Sequence, residues 1–312
     1  MKKETVSKRP AFTIVELLTV MSVIALLIGL LVPALNLVQD HARNLQQRAQ
    51  FHAIQVGIDM FVAESGYGTY PPSNENDFPP YDPILGQDSF SYGGAQKLAE
   101  ALVGYDLLGY HPQSSFRSDA RSVDGSVTPP QPYVVYPNNP TRRDLEARIG
   151  PFLDLENANA FKIRDIYRTP TGLNPENYVL CDVYAKRRHS GKKTGMPILF
   201  YRARTEWYDQ SYDSPAVPAP ANMPGTIEDD IYYYPDNQEL LLLGMPEDNT
   251  VRHELADGIN DWQDFERMIL NPQIPTNVLR RPYRAGSYIL ISAGKDGRYG
   301  TADDITNFDK KE

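Results

Sequence analysis

Residues 12–31 read FTIVELLTVMSVIALLIGLL, twenty positions with a single charge, Glu16. As a helix rising about 1.5 Å per residue, such a run spans about 30 Å, the hydrocarbon thickness of a bilayer. It is a candidate membrane span. The residues before it carry Lys2, Lys3, Lys8 and Arg9 against Glu4, a cation excess that keeps them cytoplasmic and puts the rest of the chain outside. A cleavable secretory signal has an apolar region of about 7–15 residues followed by a small-residue cleavage site. Here the run is longer, and the small residue, Ala11, lies before it. A carboxylate at the fifth apolar position costs on the order of 3 kcal/mol to insert, so Glu16 calls for a cation to offset it.

Beyond Pro33 the pattern turns amphipathic. Val38, Ala42, Leu45, Ala49, Ala53, Val56 and Met60 recur at three- and four-residue steps, with Asp40, Arg43, Gln46, Gln47 and Gln50 off that stripe. The spacing predicts one helix over about 13–63, apolar all round in its first half and laying this stripe on a globular head in its second. Pro33 removes a backbone hydrogen bond and crowds the preceding turn, so a kink or local melting is expected there.

The rest of the chain is a different material. The protein has 312 residues, a net charge of -9, 26 prolines, 20 tyrosines and one cysteine, Cys181. That length allows one or two domains with a sizeable core. The acidic balance argues against nucleic-acid binding, and the lone cysteine excludes an intramolecular disulfide or a thiolate zinc cage. From Ser65 the sequence SGYGTYPPSNENDFPPYDP ends the helix. A second helix is predicted at 94–103, a long loop over 111–140, and an acidic-capped helix over 261–270 that stops at Pro272. Strands are expected at 178–185, 197–202, 231–234 and 288–292, where β-branched and aromatic residues cluster. The fold class is therefore α+β: a long N-terminal membrane and spine helix packed on a small antiparallel sheet with long connections.

The stretch Arg9-Pro10-Ala11-Phe12-Thr13-Ile14-Val15-Glu16-Leu17-Leu18, with Pro33 beyond it, resembles the leader junction of type IV pilins and type II secretion pseudopilins, with Ala11 where that family more commonly has glycine. The resemblance implies cleavage by a prepilin peptidase between Ala11 and Phe12, N-methylation of Phe12, and pairing of Glu16 with the Phe12 amine of a neighbouring subunit. It also implies Pro33 as the family's kinking proline. The domains would be a cytoplasmic leader at 1–11, a transmembrane half-helix at 12–34, an amphipathic half-helix at 35–65 and a periplasmic or extracellular head at 66–312.

The C-terminal SAGKDGRYGTADDI, from Ser292, brings Asp296, Asp303 and Asp304 within nine residues of a glycine-rich turn. Read alone, it is a solvated acidic turn or an oxygen-donor calcium loop, and it lacks the EF-hand spacing. The stretch is similar to the calcium-binding loop of the major pseudopilin. That similarity implies Asp296 and Asp304 as ligands, with Asp303 and the carbonyls of Ser292, Tyr299 or Thr301 nearby. The chain is longer than such pseudopilins, so about 68–195 and 205–285 read as insertions.

Enzyme signatures fail. Gly191-Lys192-Lys193-Thr194 lacks the first glycine of a phosphate loop, since Lys186 stands there. His253-Glu254 begins a zinc-protease pattern, but Asp257 occupies the second histidine position. No G-x-S-x-G elbow occurs. The expectation is a structural subunit, not an enzyme: an inner-membrane, single-pass pseudopilin that polymerises with other pseudopilins on an assembly platform to drive protein export. The alternatives are a surface type IV pilin for adhesion, motility or DNA uptake, and a membrane-anchored binding protein that never polymerises.

Overall fold

The computed structural model describes residues 13–74, 81–82, 87–88, 90–124, 131–206, 210, 230–259, 261–275 and 279–308. Helix α1 is Ile14–Glu64; the hairpin strands β1 (Tyr81–Asp82) and β2 (Gln87–Asp88) and helix α2 (Gly94–Val103) follow. Next come β3 (Arg121–Asp124), β4 (Gln131–Val134), α3 (Arg142–Glu146), α4 (Leu155–Ala158), β5 (Ala160–Lys162), α5 (Ile163–Ile166), β6 (Tyr178–Leu180), β7 (Lys186–Arg187) and β8 (Lys193–Thr194). The chain closes with β9 (Leu199–Arg202), α6 (Gln238–Leu242), α7 (Asp261–Ile269), β10 (Tyr288–Ser292) and β11 (Ile305–Thr306). This is the α+β layout expected, a long apolar N-terminal helix followed by small antiparallel sheets. The chain divides into two compact units, Met1–Leu45 and Gln46–Glu312.

The second unit is organised by the antiparallel sheet β11-β10-β9. Strand side chains alternate between faces, and here both faces are covered. Leu199, Tyr201, Ile289 and Ile291 join one core with Ile163, Tyr232, Leu255, Phe265 and Ile269. Ile198, Phe200, Tyr288 and Leu290 join the other with Phe51, Ile54, Ile58 and Phe61 of α1 and Leu98 and Leu102 of α2. Two-sided burial is the reason 288–292 reads as an unbroken YILIS rather than an alternating strand. Described residues between 231 and 269 help to cover the sheet's second face, together with Ile163, Tyr167 and Val179. Helix α2 reaches the sheet because it begins with glycine: a Cβ on Gly94 would lie 2.0 Å from the Phe200 carbonyl oxygen. Asn237 locks the junction, accepting from the Ala95 amide and donating to that same Phe200 carbonyl, both at 2.9 Å.

The face that α1 buries differs from the predicted one. Val38 and Leu45 are each 65% exposed, Ala42, Ala49, Val56 and Met60 are exposed too, and Ala53 is half-buried. The buried face is Gln47, Gln50, Phe51, Ile54, Gly57, Ile58 and Phe61. Its spacing is equally helical, but two of its members are glutamines that bond to backbone rather than face solvent. Gln50 Nε2 donates to the Cys181 carbonyl at 2.8 Å, and the Val183 amide donates to Gln47 Oε1 at 3.0 Å. The ring of Phe61 then anchors an aromatic cluster, its centroid 5.0 Å from Tyr110 and 6.0 Å from Phe152.

Other boundaries shift for identifiable reasons. Residues 231–234 are not a strand: Pro235, without a ladder N–H, opens a 3-10 turn over Tyr234–Asn237. Tyr232 and Tyr234 are nonetheless buried and Tyr233 half-buried. The 111–140 loop contains the hairpin β3–β4. Helix α2 matches its predicted bounds, as does β10, and α7 ends one residue early. The helix runs unbroken through Pro33 instead of melting.

Candidate functional site

Ala11 and Phe12, the predicted processing site, lie outside the described residues. Just beyond them, α1 begins with a reciprocal cap. The Thr13 amide and hydroxyl donate to Glu16 Oε2 at 2.9 and 2.8 Å, and the Glu16 amide donates to Thr13 Oγ1 at 3.2 Å. This is a capping box, written in the sequence as Thr13-x-x-Glu16. Glu16 therefore has a function within its own chain, satisfying an amide at the helix start. The next hydroxyls are also internally bonded: Thr19 Oγ1 donates to the Val15 carbonyl at 3.0 Å and Ser22 Oγ to the Thr19 carbonyl at 2.8 Å. These bonds suit a helix in lipid, where no water can satisfy polar groups. α1 is long and apolar enough to cross a membrane.

The C-terminal loop connects β10 to β11 through glycines held at positive φ. A Cβ on Gly294, at φ 62°, would come within 2.3 Å of the Asp303 carbonyl oxygen. Its carboxylates cap the turn. The Asp296 amide donates to Asp303 Oδ2 at 3.0 Å, the Arg298 amide to Asp296 Oδ1 at 2.7 Å, and the Gly300 amide to Asp304 Oδ2 at 2.7 Å. Thr301 Oγ1 donates to Asp303 Oδ1 at 2.7 Å. Burial opposes ionisation of Asp303, but the Thr301 hydroxyl and the loop amides outweigh it and hold its carboxyl below the usual range. Two predicted ligand carbonyls are otherwise engaged. The Tyr299 carbonyl accepts from the Glu254 amide at 3.0 Å and the Leu255 amide at 3.3 Å, while its hydroxyl donates to the Pro197 carbonyl. The Thr301 carbonyl accepts from the Asp304 amide at 3.3 Å; at Ser292 it is the hydroxyl that is engaged, donating to Asp182. The donors are all oxygen, the type calcium takes. Among the described residues, no three acidic, histidine or cysteine side chains gather as a metal-holding group. The loop is closed by its own hydrogen bonds.

Asp182, which sequence reading passed over, is where the core elements meet. It is 1% exposed. Its Oδ1 accepts the Tyr184 and Met196 amides, both at 3.1 Å, and its Oδ2 accepts the Ser292 hydroxyl at 3.0 Å. The residues on either side of it, Cys181 and Val183, are those bonded by Gln50 and Gln47. Burial pushes its carboxyl up to about 7, against the opposing pull of the Met196 amide, the Ser292 hydroxyl and Arg188. Burial also pushes the neighbouring Cys181 thiol far up, so it is an inert core group rather than a nucleophile. The available signal was one charged residue inside the apolar run VLCDVYA.

Comparison with family models, with curated proteins and with solved structures finds no match for the chain.

Proposed function

We propose that the chain is a pilin-like structural subunit, most closely of the type II secretion pseudopilin kind. In this reading it is cut between Ala11 and Phe12, anchored in the inner membrane by α1, and polymerised with its head outside the cytoplasm. The observation that carries the reading is α1 itself: one apolar helix with a carboxylate in its first turn, continuing into a segment fastened to a globular head. Both intrachain bonds to the Glu16 side chain fall on Oε2, and the proposed partner for the remaining carboxylate valence is the Phe12 amine of a neighbouring subunit. Two unit charges about 4 Å apart interact by about 4 kcal/mol at an effective dielectric of 20, comparable to the insertion cost.

The cap also favours a second reading, a single-pass anchored protein that does not polymerise, because it gives Glu16 a reason to exist without a neighbour. Glu16→Gln separates the two. Glutamine can close a capping box but carries no charge. Cross-linking of membranes should give ladders from wild type and monomer from Glu16→Gln, with intact mass starting at methylated Phe12. Wild-type ladders from Glu16→Gln, or a chain that retains Met1, would refute the subunit reading. Calcium belongs to the same proposal as a ligand of the C-terminal loop. The all-oxygen donor chemistry of Asp296, Asp303, Asp304 and Thr301 supports it, and the amide bonds those carboxylates already accept oppose it.

A further inference from the structure

A cavity of about 630 Å³ lies in the insertion between α2 and β6, lined among others by Tyr105, Asp106, Asp119, Arg121, Glu176 and Tyr178. That volume falls within the range of ligand sites, and its aromatic lining is held by stacking and hydrogen bonds. Tyr105 stacks on Tyr136 with centroids 5.4 Å apart at 30°, and the Arg148 guanidinium lies 4.3 Å from the centre of the Tyr136 ring. The Tyr105 hydroxyl is spent on the Ser118 carbonyl at 2.9 Å, and Asn174 donates to that same carbonyl at 2.7 Å. Tyr105 therefore offers a ligand its ring and not its hydroxyl.

The charges are arranged unevenly. Each carboxylate already holds a cation: Asp106 pairs with Arg148 at 3.1 Å, Asp119 with Arg117 at 3.1 Å, and Glu176 with Lys162 at 2.8 Å and with Arg164. A paired carboxylate keeps lone pairs that can accept from hydroxyls, yet it exerts little field on an ion. Among the described residues lining the cavity, one cation is left over. No hydrogen bond or ion pair with a described residue engages the Arg121 guanidinium; only its backbone is held, the amide donating to Asp119 at 3.1 Å and the carbonyl accepting from the Ser115 hydroxyl at 3.3 Å. A guanidinium is a planar fork matched to a carboxylate.

We infer that this cavity binds an acidic saccharide, a uronate-type sugar whose ring lies on Tyr105, whose hydroxyls donate to the paired carboxylates, and whose acid group meets Arg121. A single uncommitted guanidinium is too little to hold the clustered phosphates of a nucleotide, and a neutral sugar leaves Arg121 unused. The site would give the exported head a glycan-binding function independent of whether the chain polymerises.

Calorimetric titration of the full chain in detergent tests this, with a galacturonate hexamer, an alginate hexamer, maltohexaose, inorganic phosphate and an acidic peptide as probes. At least one acidic hexamer should bind about tenfold or more tighter than maltohexaose, phosphate or the peptide. Arg121→Ala should remove that preference for the acidic sugar without changing the melting temperature, Tyr105→Ala should weaken binding about tenfold, and Tyr105→Phe should restore it. No binding of either acidic hexamer overturns the inference. So does equal affinity for maltohexaose, tighter binding of phosphate or peptide, or binding indifferent to Arg121→Ala.

Discussion

Replacing Asp182 by asparagine should make the protein less sensitive to alkaline pH. The folded carboxyl titrates at about 7, whereas an unfolded aspartate titrates near 3.9. A carboxyl raised in the folded state binds its proton more tightly there, so its favourable contribution is complete below about pH 4 and is lost as pH rises through about 7. Between about pH 5 and pH 8 that loss is on the order of 3 kcal/mol, at about 1.4 kcal/mol for each pH unit over which the folded state alone holds the proton. Asparagine keeps the acceptor for the Tyr184 and Met196 amides and presents an NH₂ to Ser292, whose oxygen can accept it. The assay is thermal unfolding of both proteins across this pH range. Glu100, raised by burial, and His253, held down to about 4 by burial, titrate alike in both and cancel in the difference. The midpoint of Asp182→Asn relative to wild type should climb by roughly 5–10 °C from about pH 5 to pH 8, at about 2–4 °C per kcal/mol. A difference that stays flat with pH would refute a buried, neutral-range carboxyl at this position.

Phe61→Ala should cost about 3–5 kcal/mol, because the ring is fully buried against Tyr110, Phe116 and Phe152; denaturant unfolding monitored by tyrosine fluorescence measures it. Gly94→Ala should lower the melting temperature although alanine is the better helix former by about 1 kcal/mol, since its Cβ would meet the Phe200 carbonyl at 2.0 Å; a rise in midpoint would contradict that close approach. If calcium holds the C-terminal loop, saturation at about 100 times the dissociation constant adds about 2.7 kcal/mol, and chelation or Asp303→Asn should abolish the gain; an unchanged midpoint leaves a turn closed by its own amides.

The elements most legible in the sequence were those with one unambiguous signal. Twenty nearly uncharged residues gave α1, the glycine-opened GAQKLAEALV gave α2 to the residue, and an apolar YILIS gave β10. The face of α1 was misread because two stripes compete on it. Val38 to Met60 is the stripe of aliphatics, but Phe51, Ile54, Ile58 and Phe61 carry the aromatic bulk, and Gln47 and Gln50 extend that face with side chains that read as solvent-facing. Hydropathy cannot tell a glutamine in water from one bonded to a backbone carbonyl 131 residues away. Glu100 escaped for the same reason. It sits in α2 as an ordinary polar residue, yet it is 2% exposed and accepts the Tyr92 hydroxyl at 2.7 Å and that of Ser114. In the C-terminal loop the residue types were legible and their partners were not: three aspartates that suggest a cation turn their oxygens to neighbouring amides.

The capping box changes how the cost of Glu16 should be reckoned. A lone carboxylate carried into lipid is opposed by on the order of 3 kcal/mol, a cost that a monomer awaiting assembly would bear alone. With the Thr13 amide and hydroxyl both on Oε2, part of that cost is met within the chain, since hydrogen bonds to an ionised acceptor contribute about 1.5–3 kcal/mol. In the proposed assembly a neighbour's amine would have to supply only the remainder, and Oε1 would receive it without breaking the cap. On this arithmetic the two substitutions at one position differ in kind: Glu16→Ala loses cap and charge and should fray the helix start, whereas Glu16→Gln keeps the start and removes only what a second subunit could recognise.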